Sequence, residues 1–492
     1  MKPKMYDPST LAEGSRSFFA IYLADCASAA FASRLHRKRP ISTPDFWLKH
    51  AGSRHQVRLN PFPSDVGRRF LDRGRVRSWR FQLGVKKKGV QQGVTRLAVE
   101  IRQAVCSACG SGELECFFEM PETPTNRVTL RTTREAALSC RTGRIELGFC
   151  VACGAISNMA FDPARVDYDP TYDNSLYFSP TFQKYSEGVA RDLVERYDLH
   201  GKKVIEIGCG QSEFLAQVCA LGNNRGIGFD PSFVPGSANP GVGQGITVIR
   251  DYYSERYAHC AADFIICRQV FEHIANPRPL LESVRRALVS NSHGALFFEV
   301  PSASFIFQKK GFWDVLYEHC FYYSPGALAR LFSSCGFDVL RVSETFEGQY
   351  VCLEARPCSG STDTMNEAED DLHSMRRDIQ QFANAFCHHY SHWKKMLDRF
   401  AAEGKRMVLW GAGTKGTLFL NTFRDISSLE YIVDVNPRKW GLYIPGSGQK
   451  VVSPELLKEY RPDMVLIMNS NYRDEIGRQV SSLGLAPELC LV

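Results

Sequence analysis

Four cysteines in two matching spellings, Cys106-Ser-Ala-Cys109-Gly and Cys150-Val-Ala-Cys153-Gly, have a spacing that could do chemistry. In each, two thiols three positions apart precede a glycine that can take the turn dihedral needed for both sulfurs to face one point. Two such turns assemble four thiolates, the tetrahedral donor set of a structural Zn2+ site with no position left for water. The alternative is a set of reduced core thiols without metal. Cys116 and Cys140 fall between the pairs and read as ordinary apolar positions, or at most as alternative ligands.

A glycine loop follows at 204–215, VIEIGCGQSEFL, which reads as an apolar strand, a turn and the start of a helix. Glu206, Gly208 and Gly210 sit in it, and the glycines let backbone approach a bound nucleoside. Asp230 closes the next apolar strand (GIGFDPS), placed to accept from two ribose hydroxyls. Asp251 follows a third strand (VIRDYYS), where an acid can meet an adenine amine, and Gln269 opens QVFEHIANP after a fourth. A dinucleotide-binding unit is the competing reading, but the loop lacks the full G-x-G-x-x-G and that reading does not explain FEHIANP.

Tyr317, Glu318 and His319 come next, trailed by Phe321, Tyr322 and Tyr323. A histidine beside a glutamate can serve as a general base, and aromatic neighbours would keep water away from it. A second loop at 408–423, VLWGAGTKGTLFLNTF, carries a full G-x-G-x-x-G through Gly411, Gly413 and Gly416, with Asp434 ending the following strand. By itself this is a dinucleotide fingerprint, so an NAD-dependent oxidoreductase stays open as a rival. Lys415 and Arg438 would suit a diphosphate through charge-assisted bonds, or else face solvent.

Positioning these residues takes several domains, which 492 residues can supply. Strand–helix alternation over 166–358 predicts an α/β domain. The spacing predicts a cysteine module over 105–165, a helical connector over 359–403, broken once, and a C-terminal Rossmann-like domain over 404–492. The net charge of +7 is uneven: residues 1–105 hold 21 Lys and Arg against 7 Asp and Glu, the remainder 39 against 46. Residues 1–104 therefore read as a basic leader, disordered or an over-extended start, with a targeting presequence or a nucleic-acid contact as alternatives. No apolar run is long enough for a membrane span. Seventeen cysteines, mostly scattered through apolar segments, point to a reducing cytoplasm.

The order of cysteine pairs, glycine loop, EVP strand end, YEH…YYSP and LWGAGTKG…DVNPRKWGLYIPG resembles the S-adenosylmethionine (SAM)-dependent nucleotide-sugar C-methyltransferases, from about 105 to 492. The resemblance implies an α/β fold: a class I methyltransferase Rossmann-like domain between an N-terminal zinc-binding module and a C-terminal Rossmann-like domain. It implies SAM and structural Zn2+ as cofactors. It implies a small-molecule acceptor, a nucleotide-linked keto-sugar, with no nucleic acid or membrane as partner. SAM would contact Glu206, Gly208, Gly210, Asp230, Asp251 and Gln269. In that family a Tyr-His-Glu-His string carries the reaction. Its last His aligns with His319 and its Glu with Glu318, but its Tyr falls on Leu316, so Tyr317 would have to substitute one position along. The implied chemistry is removal of a proton alpha to a ketone by His319, with Glu318 orienting the imidazole. O-methylation of another small molecule uses the same base on a hydroxyl and stays open. A non-enzymatic scaffold is disfavoured because the acids and His319 are intact.

Overall fold

Runs of β-branched and aromatic residues bounded by Gly, Asp and Pro recur along this chain, and each forms a short strand. The computed structural model describes residues 100–236, 241–289, 293–358, 370–424 and 429–492. All belong to the second of the chain's two units, which begins at Lys88. The readings made for residues 1–99 lie outside the described residues.

The N-terminal module comprises β1 (Glu100–Gln103), β2 (Glu113–Pro124), α1 (Arg134–Leu138), β3 (Thr142–Cys150) and β4 (Ile156–Asn158), paired antiparallel in strand order. It starts five residues earlier than the sequence suggested, because β1 pairs with β2 over Glu100↔Cys116 to Gln103↔Glu113. One CxxC turn joins β1 to β2 and the other joins β3 to β4. The β2–β3 register opposes Leu114 to Cys150, which brings the two turns to the same end of the sheet.

The middle domain runs through α2 (Pro180–Arg196), β5 (Lys203–Ile207), α3 (Glu213–Gly222), β6 (Arg225–Phe229), β7 (Ile246–Ile249), β8 (Phe264–Arg268), α4 (Pro277–Val289), β9 (Ala295–Pro301), α5 (Ala303–Lys309), β10 (Phe321–Tyr322), α6 (Pro325–Ser334), β11 (Phe337–Thr345) and β12 (Tyr350–Pro357). Its seven-stranded sheet has the order β11-β12-β9-β8-β5-β6-β7. Strands β5 to β9 pair in parallel, and β12 runs against both neighbours. This is the class I methyltransferase arrangement. Strand order reverses between β5 and β8, so the crevice lies at their carboxyl ends, where both glycine-loop and post-β8 residues emerge. The short β10 leaves this sheet and pairs antiparallel with β4 of the N-terminal module.

The connector is one helix, α7 (Asp370–Ala402), without the expected break. Met375, Ile379, Phe382, Phe386, Trp393, Leu397 and Phe400 form one buried stripe at helical spacing, which packing holds continuous. Gly404 follows at φ +66° and ends it. Next come β13 (Met407–Trp410), α8 (Thr414–Thr422), β14 (Leu429–Val433), β15 (Lys450–Val452), α9 (Leu457–Tyr460), β16 (Met464–Ile467), α10 (Arg473–Ser482) and β17 (Glu488–Leu491). These strands form an all-parallel sheet in the order β15-β14-β13-β16-β17. One apolar cluster holds Phe117 and Phe118 of β2, Phe307 of α5, Phe382 of α7 and Phe419 of α8, so the modules share a core. No helix among the described residues is long and apolar enough to cross a membrane.

Candidate active site

The four knuckle cysteines converge. Sγ of Cys106 lies 3.8 Å from that of Cys153, and Cys109 lies 3.6 Å from Cys150. Both turns are built alike: Gly110 N–H donates to the Cys106 carbonyl and Gly154 N–H to that of Cys150, with both glycines at positive φ. Sulfurs about 2.3 Å from one ion at tetrahedral angles stand about 3.8 Å apart, so this donor set fits Zn2+.

A cleft of about 180 Å³ opens at the carboxyl ends of β5 and β8, lined by Glu206, Gly208, Gly210, Asp230, Arg268 and Gln269 among others. A Cβ on Gly208 would lie 2.1 Å from Val270 Cγ2, and its φ is +70°, so only glycine keeps the cradle open. Ser212, in place of a third glycine, also takes a left-handed φ of +70°. Asp230 accepts from Gly210 N–H at 2.8 Å and from Ser232 N–H at 2.8 Å, which fixes its carboxylate at the mouth of the loop. Glu206 is buried, and its Oε2 has no hydrogen-bond partner among the described residues. Burial pushes it up to about 8 against the pull of Arg268. An orphaned buried acid beside a glycine cradle fits a hydroxyl-rich nucleoside. Asp251 lies after β7, outside the lining residues, accepting from Tyr257 Oη at 2.8 Å.

A second cavity, about 240 Å³, lies between the methyltransferase and C-terminal domains. Tyr172, Asn174, Ser175, Leu176 and Gln269 line both spaces and form their common wall. Glu318 and His319 line the second cavity, while Leu316 occupies the place of the family tyrosine. His319 is buried, with Nδ1 unpartnered among the described residues, and stacks edge-on against His273 at 4.9 Å. Burial, His273 and Arg127 hold its imidazole well below the ordinary histidine range, so it is neutral and able to take a proton. His273 Nδ1 lies 3.0 Å from the Glu318 carbonyl and 2.9 Å from Tyr168 Oη. Glu272, His273 and His319 place three ligand-type atoms within 4.8 Å of one another. Burial raises Glu272 to about 8 and lowers His273 to about 4, so this cluster is uncharged near neutrality.

Two expectations about this cluster change. Glu318 does not turn to the imidazole; its Oε1 accepts from Arg127 N–H at 2.5 Å and Oε2 lies 3.6 Å from the guanidinium. Tyr317 does not reach the cavity. Its hydroxyl accepts from Asp162 N–H at 3.1 Å, and its ring packs against Gly143 and Phe161. Leu316, Glu318 and His319 line the cavity from the same irregular turn, and 317 alone faces away from it.

On the C-terminal side, Lys415 lines the cavity and pairs with Asp314 at 2.8 Å. Arg438 lies outside the lining, paired with Asp173 at 3.0 Å and resting over the Phe178 ring. Asp434, the acid of the second glycine loop, accepts from Ala412 N–H at 2.8 Å and faces the buried Lys439 ammonium at 3.3 Å. An internal cation already answers the charge that a dinucleotide ribose would use, which weighs against the oxidoreductase reading. Arg127, Glu272, His273, Tyr172 and Lys439 were not singled out from sequence. Glu272 and His273 had a usable signal, since both lie in FEHIANP.

Residues 182–342 match the family model described as a methyltransferase domain, and 350–485 match the C-methyltransferase C-terminal domain. The C-methyltransferase NovU of Streptomyces niveus is 26% identical over 300 residues, covering 58% of this chain and 70% of that protein. Solved SAM-dependent methyltransferases from Mesorhizobium loti and Aquifex aeolicus are each 15% identical, with TM-scores of 0.29. The first covers 35% of this chain and 99% of its own, the second 38% and 98%. The order of the seven-stranded sheet, the glycine cradle at its switch point and these two family matches together make the chain a SAM-dependent methyltransferase, with the C-methyltransferase C-terminal domain at 350–485.

Proposed function

We propose that the acceptor is a nucleotide-linked keto-sugar and that His319 is the general base of its carbon methylation. The observation that carries this reading is a neutral, buried imidazole with an unpartnered nitrogen, in a cavity that shares a wall with the nucleoside cleft. Glu206, Gly208, Gly210, Asp230 and Gln269 would hold SAM, with Asp251 near the rim of the adenine end. SAM supplies a methyl already activated by its sulfonium. The chain's own contribution is then position and charge. His319 takes the proton alpha to the ketone, and the resulting carbanion faces the shared wall. His273, with its Nδ1 held by the Glu318 carbonyl, packs the imidazole in place. Burial keeps the Tyr172 hydroxyl protonated, so it remains a donor between the two cavities.

Gly413 and the start of α8 would supply N–H groups and Lys415 a charge, which together suit a diphosphate. Arg438 stands one layer behind, on Asp173. The four cysteines would hold a structural Zn2+, and the free thiols among the described residues suit a reducing cytoplasm.

The test is turnover of methyl-labelled SAM with a panel of nucleotide-linked keto-sugars, the labelled atom located by NMR. Label on carbon is expected, with turnover reduced about 100-fold or more in His319→Ala. Label on oxygen would replace the keto-sugar reading with O-methylation. Near-normal turnover in the variant would remove His319 as the base.

A further inference from the structure

Arg127 joins the three modules beside the base. It is fully buried, in the segment after β2 of the N-terminal module. Its N–H donates to Glu318 Oε1 at 2.5 Å, and its Nη1 lies 3.6 Å from Oε2. Its Nη2 donates to Thr123 Oγ1 at 2.7 Å, while its carbonyl accepts from Thr417 Oγ1 of α8 at 3.3 Å. The residue it grips is the neighbour of His319 in the chain.

The same module holds the other side of His319. Strand β10 starts two residues later and pairs with β4 as Phe321↔Ser157 and Tyr322↔Ile156, and Asn158 N–H donates to the Cys320 carbonyl at 3.0 Å. The segment 318–322 is therefore clamped at both ends by a module whose own shape depends on its cysteine turns.

We infer that Arg127 is the positioning residue of the catalytic base, so that the N-terminal module acts on the chemistry by holding Glu318 and His319 and is more than a structural appendage. This rests on His319 being the base. The physical reason is that a buried carboxylate needs a counter-charge. The Arg127 main-chain N–H holds Oε1, and its guanidinium at 3.6 Å is the counter-charge that keeps the Glu318 carboxyl in place beside His319. Without the guanidinium the N–H remains but the counter-charge is gone, so the carboxyl takes a proton or shifts, and either outcome moves the imidazole. The titratable groups facing this point are Arg127, Glu318, Glu272, His273, Cys320, Tyr168, Tyr172 and Tyr322.

The experiment uses the full chain labelled at histidine nitrogens, with His319→Asn assigning the His319 signals. Arg127→Met and Arg127→Lys are compared, along with Thr123→Val, which removes only the Nη2 contact. S-adenosylhomocysteine affinity, measured by calorimetry, verifies folding, because Arg127 does not line the nucleoside cleft. The native His319 signals should report one neutral tautomer from pH 6 to 8. In Arg127→Met they should shift and lose the single-tautomer pattern. Arg127→Lys should keep the native pattern, and Thr123→Val should fall between. With an acceptor in hand, Arg127→Met should lose about 100-fold in kcat with little change in KM, the effect of misplacing a reacting group by about 1 Å. Native His319 signals in a folded Arg127→Met or Thr123→Val would overturn the inference. The NMR arm needs no acceptor, so a failed keto-sugar assay leaves it standing.

Discussion

Replacing Gly208 by alanine separates the two costs of closing the cofactor cradle. The residue sits at φ +70°, where an L side chain costs about 1–2 kcal/mol. The added Cβ would lie 2.1 Å from Val270 Cγ2, and overpacking of that kind costs about 1–3 kcal/mol. Val270 follows Gln269, which lines both cavities at φ +55°, so the clash moves the wall of the cleft. Together these amount to about 2–5 kcal/mol, and every 1.4 kcal/mol is tenfold in affinity. Calorimetric titration of Gly208→Ala with S-adenosylhomocysteine should show a loss of at least about 30-fold, or an equivalent fall in Tm. Gly210→Ala is the control: its φ is +55°, but its nearest neighbour to a new Cβ is 3.8 Å away, so only the dihedral cost applies. Adding Val270→Ala to Gly208→Ala should recover the overpacking share, about tenfold or more, and leave the dihedral share. An affinity within about threefold of native with unchanged Tm, or no recovery in the double variant, would refute this reasoning.

Two further outcomes follow from charge and metal. Glu206 has its folded pKa raised to about 8 from an ordinary 4.5, so its contribution to stability is full below pH 4.5 and lost as pH rises through 8. Tm of the ligand-free protein should fall over that window by an amount worth on the order of a few kcal/mol, and Glu206→Gln should flatten the fall; an unchanged slope in the variant would contradict it. Native protein should contain one zinc per chain by elemental analysis. Cys150→Ser should lose it along with on the order of 10 °C or more of Tm, whereas metal-free native protein of unchanged Tm would return the four cysteines to core thiols.

The parts of the fold visible in the sequence are those with a local signal. Runs such as VIEI, FIIC and ALFFEV are apolar enough to read as buried parallel strands, and the CxxC-Gly pairs state their own geometry. The expected break in α7 does not occur, because a buried stripe from Met375 to Phe400 holds the helix continuous. The candidate site was half legible. His319 announced itself by its aromatic neighbours, and Gln269 by its place after a strand. Arg127 could not be found that way, because PETPTNRVTL is polar and aperiodic, and its partner lies 191 residues away. Lys415 and Arg438 looked like free phosphate ligands for the same reason: Asp314 and Asp173, which meet them, are distant in sequence. The side on which Tyr317 points depends on the turn between Val315 and Phe321, whose backbone has no repeating period to read.

The central claim is that His319 makes a carbanion in the inter-domain cavity, and proton exchange tests it without methyl transfer. Protein saturated with S-adenosylhomocysteine would be incubated in D2O with a nucleotide-linked keto-sugar shown to bind, and the alpha carbon followed by NMR. Deuterium should enter at that carbon in the native protein and fail to enter in His319→Asn. Bound keto-sugar that never exchanges, or exchange of equal rate in the variant, would contradict the account.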